Sequence, residues 1–250
     1  MYFITIHYFF IFKIYNGNKI YDENICVHWA IVIITFIIFL YFKYIMEIKY
    51  VCSLGNLCHS SELLKKNNLK RCSYPFDWIF SNHNNIIHCI KDDFKIFLDK
   101  SYYISKSHNQ CTHSYYHNNM FNHHNPLTNE NDYNYYIRCV NRFRQLLQYE
   151  GHKLFVMIVV NNDNFKENLK NEIIDFNNKF SKYTKNYTLL YICHIKNKQQ
   201  NHHTFTHNDN IDFLELHTLS SSNGIYFTNN NDNIYLNNII NKKYNFKIEN

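Results

Sequence analysis

Proline occurs twice in this chain of 250 residues, glycine four times, arginine four times, and alanine once, at Ala30. Collagen-like, Pro-rich and Gly/Ser-linker architectures are thereby excluded. Charged residues are scarce at 18%. The net charge of +6 comes mostly from lysine, and no run of five basic residues occurs. A nucleic-acid footprint needs basic charge gathered on one face, so no nucleic-acid partner is expected. No Cys-x-x-Cys pair is present, and the eight cysteines are spread through apolar segments. That pattern argues against a disulfide framework and for reduced thiols in a cytoplasm-like compartment, most of them serving as small buried hydrophobes. What the chain does have is apolar residues at 46% and aromatics at 18%, too many for a disordered polymer. Phe, Tyr, Ile, Asn and Lys make up about half of it. All five have AT-rich codons, so the Asn runs report genome composition before they report function.

The longest apolar run, ICVHWAIVIITFIIFLYFKYI at residues 25–45, is close to the roughly 20 residues that span a bilayer. It starts too late, and lacks the small-residue cleavage site, for a secretory signal. Two readings stand: a membrane anchor at 25–45, or AT-rich DNA translated upstream of a true start at Met46. On either, residues 1–45 are a hydrophobic extension and residues 46–250 a single domain.

Within that domain, Ile48 to Leu54 reads as a buried strand ending at Gly55, with Asn56 placed to cap a helix running to about Asn68. Ser73 to Trp78 reads as a turn into a short helical piece. Ile86, Ile90, Phe94 and Phe97 recur at helical spacing over 83–98, and residues 99–128 read as irregular. The clearest helix covers 130–149, with Tyr136, Val140, Phe143 and Leu147 on one face and Gly151 as its stop. Lys153–Val160 is a continuous apolar run, as in a strand buried on both faces of a parallel sheet. A helix at about 165–182, a strand at Thr188–Ile195, an exposed polar loop at 196–210, a strand at Ile211–His217 and a helix near 231–241 follow. Alternating strands and helices predict an α/β layered fold, with a mainly parallel central sheet flanked by helices.

The sharpest chemical feature is Leu54-Gly55-Asn56-Leu57-Cys58. A strand ends, a glycine permits a tight turn, and a cysteine arrives in the first turn of a helix. Free N–H groups and the helix dipole there favour a thiolate and can later bind an oxyanion. A structural cysteine satisfies the same pattern. A nucleophile also needs a base, and His59, His83, His88, His108, His113, His117, His123 and His124 are all available. His59 adjoins Cys58 but points elsewhere on a helix.

Taken together, Ser53-Leu54-Gly55-Asn56-Leu57-Cys58, Pro75-Phe76-Asp77-Trp78-Ile79, Phe121-Asn122-His123, Tyr136 with Arg142-Phe143, and Leu154-Phe155-Val156 resemble a domain-of-unknown-function family of papain-like cysteine peptidases. That family is found in bacteria, some eukaryotes and large DNA viruses. The resemblance covers roughly residues 47–245. It implies Cys58 as nucleophile, His123 as general base, a peptide or protein substrate and no cofactor. It also implies a cytoplasmic setting (that of the host for a viral protein), or a membrane-anchored one through residues 25–45. Papain-like sites add an Asn or Asp that orients the imidazole. Asn125, Asp132, Asn161, Asn162 and Asp163 follow His123 without a motif to choose among them, and Asp77 is a further candidate from within a matching motif. Where the family often has an acid after the histidine, this chain has His124. The papain-like architecture is itself α+β, with the cysteine on a helix and the histidine on an antiparallel sheet. It therefore stands as the alternative fold.

The enzyme reading predicts a low thiol pKa at Cys58. Two other classes compete with it. One is a zinc-binding module built from Cys111, His113, His117, His123 and His124, whose donor types suit zinc. The other is a non-catalytic interaction domain. Phe76 and Trp78 are expected as core anchors, and Arg142 or Arg144 could reach an acidic substrate group.

Overall fold

The computed structural model describes residues 28–35, 47–107 and 109–248. The chain divides into two compact units, Met1–Tyr44 and Ile45–Asn250. In the first, residues 28–35 are helical and exposed. The rest of the apolar run at 25–45 lies outside the described residues, and among those described no helix is long and apolar enough to cross a membrane.

The second unit is built on a five-stranded sheet. Its strands are β1 (Tyr50–Ser53), β5 (Lys153–Asn162), β6 (Tyr187–Ile195), β8 (Ile211–His217) and β7 (His202–Asn208), in that spatial order. β1, β5, β6 and β8 are parallel, and β7 runs antiparallel at the edge. Alternation splits the central strands between two cores. Phe155, Met157, Leu189, Tyr191 and Phe213 face one side. Leu154, Val156, Ile158, Leu190, Ile192 and Leu214 face the other. The continuous apolar run of β5 therefore marks a strand covered on both faces. Helices α1 (Cys58–Lys66) and α6 (Asn230–Lys243) cover the second face through Leu63, Leu64, Leu236 and Ile240. The first face is covered by α2 (His83–Lys91), α4 (Glu130–Gln148) and α5 (Glu167–Phe180). Between α2 and α4 lie the single helical turn α3 (Lys95–Leu98) and a second sheet, antiparallel, of β2 (Tyr103–Ser107), β3 (Gln110–His113) and β4 (His117–Phe121).

The mainly parallel α/β architecture is the one expected. Four local expectations are corrected. Residues 99–128 are not irregular, since they carry β2–β4, whose buried positions include Tyr103, Cys111, His113, Met120 and Phe121. Residues 196–210 are not only a loop, since β7 pairs with β8 through its backbone while its side chains stay largely exposed. The helix expected over 83–98 breaks where Asp93 and Phe94 take φ of 53° and 59°, although Ile86, Ile90, Phe94 and Phe97 are all buried. The segment after Ser73 makes turns and no helix.

Candidate active site

β1 leaves the sheet when the Leu54 N–H donates to Val156 O, and the chain turns through two left-handed residues, Gly55 (φ 76°) and Asn56 (φ 78°). Only glycine fits at the first. A Cβ there would strike Ser81 Oγ and lie 2.8 Å from Phe76 O. Serines clamp the turn: Gly55 N–H donates to Ser53 Oγ, Asn56 N–H to Ser81 Oγ, and Ser60 Oγ lies 2.7 Å from Ser53 Oγ. Asn56 does not cap α1 as expected. Its side-chain amide donates to Ile158 O instead, and the N-cap is Leu57, with no side-chain hydrogen bond. Among the described residues no N-cap side chain thus occupies the first-turn N–H groups of α1. They remain available to an anion forming beside Cys58.

Cys58 opens this helix at the carboxyl end of β1, where open parallel sheets place their ligands. Its Sγ lies 3.5 Å from His123 Nε2, across 65 residues of sequence. His123 arrives two residues after β4, so the small antiparallel sheet delivers the imidazole while the parallel sheet delivers the thiol. The structure shares this feature with the papain-like alternative, although the main sheet is parallel. Trp78 stands edge-on to His123, with ring centroids 6.4 Å apart and planes at 87°. Its backbone is left-handed at φ 58°, which for a bulky side chain costs about 1–3 kcal/mol. It is half-buried, not a full core anchor, whereas Phe76 is completely buried as expected.

Burial pushes the Cys58 thiol up. Its own backbone N–H favours the thiolate, and the Asp77 charge opposes it. Partial desolvation, and then His124, hold His123 below the ordinary imidazole value. Both shifts favour a neutral thiol beside a neutral imidazole. Both directions run against the low thiol pKa expected from the sequence.

Asp77 lies underneath, completely buried. Its Oδ2 accepts from Tyr74 N–H and pairs with Lys70 Nζ at 2.8 Å, and no bond joins it to His123 among the described residues. Its Oδ1 is buried with no hydrogen-bond partner among the described residues. Burial raises its carboxyl pKa and Lys70 is the main opposing influence. Lys70 also donates to Ser61 Oγ and sits 4.8 Å from the centre of the Trp78 ring.

The other candidates are distributed through the fold. Asp132 bonds to His124 Nδ1 and to the Asn125 N–H. Asn125 is buried, and its amide donates to Ser105. Asn161 exchanges two hydrogen bonds with the Ser222 backbone, and Asn162 donates to Val159 O and His194 O. Asp163 is exposed on the link to α5. His59 points away from Cys58, toward Ser222 and Phe227. His83 faces Glu172, and His88 lies against Tyr115 and Tyr116. His108 is outside the described residues. Arg144 is committed to Asp93. Cys111 and His113 are buried in β3, His117 stacks on Phe80, and His124 stacks on Tyr135. With His123 beside Cys58, these do not form a metal cluster, and no group of three or more ligands exists among the described residues. The seven described cysteines are all unpaired.

Sequence reasoning missed the serine clamp, the Lys70–Asp77 pair beneath Trp78, and a buried lattice at the carboxyl ends of β5, β6 and β8. In that lattice His194 Nδ1 accepts from Asn161 N–H and its Nε2 lies 2.7 Å from Thr218 Oγ1. Only the positions of Ser53, Ser60 and Ser81 around Gly55 carried any signal.

Residues 49–208 match the family described as "Putative papain-like cysteine peptidase (DUF1796)", and the chain belongs to that family. No curated protein and no solved structure matches the chain.

Proposed function

We propose that the domain is a cysteine peptidase in which Cys58 is the nucleophile and His123 the general base. The observation that carries this reading is the 3.5 Å approach of Cys58 Sγ to His123 Nε2 at the uncapped N-terminus of α1. As Sγ attacks a peptide carbonyl carbon, His123 Nε2 takes the thiol proton and the carbonyl oxygen becomes an oxyanion. The α1 N–H groups hold that charge. Collapse breaks the C–N bond, His123 returns its proton to the leaving amine, and a thioester remains on Cys58. A water, deprotonated by His123, then releases the acid and restores the thiol.

Family membership supports the reaction class, and the geometry supports the two residues. Asp77 supports the site from below, holding Lys70 and the Tyr74–Trp78 turn. The test is turnover of a fluorogenic peptide library by the full chain. Cys58→Ser is expected to abolish turnover, and His123→Ala to lower it by about 10²–10⁴-fold. Hydrolysis that persists in Cys58→Ser would end the proposal.

A further inference from the structure

His123 Nε2 faces Cys58, and among the described residues no side chain hydrogen-bonds to Nδ1. The usual means of fixing a catalytic imidazole, a carboxylate or amide on its second nitrogen, is not what holds this ring. What touches it instead is Trp78. The two rings meet at 87°, within the edge-to-face range for aromatic pairs. The backbone of Trp78 is forced into the left-handed region between the fully buried Phe76 and Ile79. Below, the Asp77 carboxylate ties down the turn through Tyr74 N–H, and Lys70 Nζ, fixed to Asp77 and Ser61, sits over the indole. A strained bulky residue persists only where its surroundings over-determine it, and such residues cluster at functional sites.

We propose that Trp78 is the positioning residue of this site: its indole, braced by the Lys70–Asp77 pair, holds the His123 ring in line with Cys58 in place of a third polar catalytic group. This rests on the reading of Cys58 and His123 as nucleophile and base. The charged and titratable neighbours of this ring pair are Lys65 and Lys70 at the indole, Asp77 beneath it, and Cys58 and His124 beside the imidazole. None of them need change protonation for Trp78 to act.

The experiment is the pH–rate profile of Cys58 carbamidomethylation by iodoacetamide in the full chain, read by mass spectrometry, with the half-exposed Cys72 as internal reference. Trp78→Gly removes the ring and suits the positive φ, and Trp78→Phe keeps an aromatic face. Trp78→Gly is expected to slow Cys58 labelling at pH 7 by about tenfold or more and to move its profile toward that of His123→Ala, with Trp78→Phe within about threefold of the native rate. If Trp78→Gly does not fold, Trp78→Leu, which fills the space without a π face, takes its place. A native rate and profile in the ring-less variant would overturn the proposal and leave Trp78 a packing residue. If His123→Ala leaves the profile unchanged, the Cys58–His123 reading itself fails, and this inference falls with it.

Discussion

Acid should unfold this domain early, because burial disfavours the charged form of its enclosed histidines, His59 and His194 most strongly. His194 is fully buried in the lattice with Asn161 and Thr218, and His59 is 2% exposed against Ser222 and Phe227. Burial holds His194 down at about 4 and His59 at about 3, and His194, across Phe227, adds to the lowering of His59. In the unfolded chain both titrate near 6.5. Below that pH the unfolded state binds protons that the fold refuses, so stability falls as pH falls toward the folded values. The slope is about 1.4 kcal/mol per pH unit for each histidine. From pH 6.5 to 4 the pair removes on the order of 6 kcal/mol, a large share of the 5–15 kcal/mol typical of a domain. Asp77 works in the opposite sense. Its raised pKa lets the folded state take up a proton first, so its contribution is present at low pH and is lost as pH rises through the folded value. The assay is urea unfolding by circular dichroism at steps from pH 7.5 to 4.5, on the native chain and on His59→Asn/His194→Gln. The variant should be less stable at pH 7 but should lose most of the slope. A flat native profile, or an equal slope in the variant, would refute the argument.

Gly55→Ala combines a left-handed backbone with the collision at Ser81 Oγ and Phe76 O. It should cost about 2–5 kcal/mol, seen in a melt as a Tm lowered by about 5–15 °C. A shift under a degree would mean the turn relaxes freely. Lys70→Met leaves the Asp77 charge buried without its cation and should cost about 3–5 kcal/mol at pH 7. That loss should shrink as pH is lowered, as the carboxyl, already pushed up by burial, takes a proton. A small cost at pH 7, with no pH dependence, would show that Asp77 is not ionised beside Lys70.

Where one physical signal dominated, the sequence was readable. The face Tyr136, Val140, Phe143 and Leu147 needs only helical periodicity, and all four side chains are buried. The run KLFVMIVV needs only the rule that a strand covered on both sides shows no polar alternation, and β5 has both its faces in a core. The misses have a common cause. β7 is an edge strand held by backbone pairing, with exposed His and Thr side chains that hydrophobic patterning does not register. β2–β4 bury His113 as well as apolar residues, so their inward positions look polar on the page. The break at Asp93 and Phe94 depends on backbone angles that no residue type there demands.

In the site, Gly55 and Cys58 could be read from a local pattern, and the serines around them reinforce it. His123 could be singled out only by resemblance, since its approach to Cys58 depends on how a second sheet packs 65 residues away. The left-handed Trp78 was invisible for the same reason. Its conformation is imposed by Asp77, Lys70 and the buried neighbours on either side. The upward shift of the Cys58 thiol is not legible in the sequence, which shows the helix N-terminus and not the depth of burial.

The central claim is that Cys58 and His123 act as one unit. It is tested most directly by the rate of Cys58 alkylation from pH 5 to 9 in the full chain, resolved cysteine by cysteine, beside His123→Ala. Because burial, and then His124, hold His123 below the ordinary imidazole value, the neutral, proton-accepting form is favoured there. Cys58 should then be labelled faster than Cys72 across the neutral range, despite being the more buried thiol, and His123→Ala should remove that advantage. Equal labelling of Cys58 and Cys72, indifferent to His123, would contradict the account.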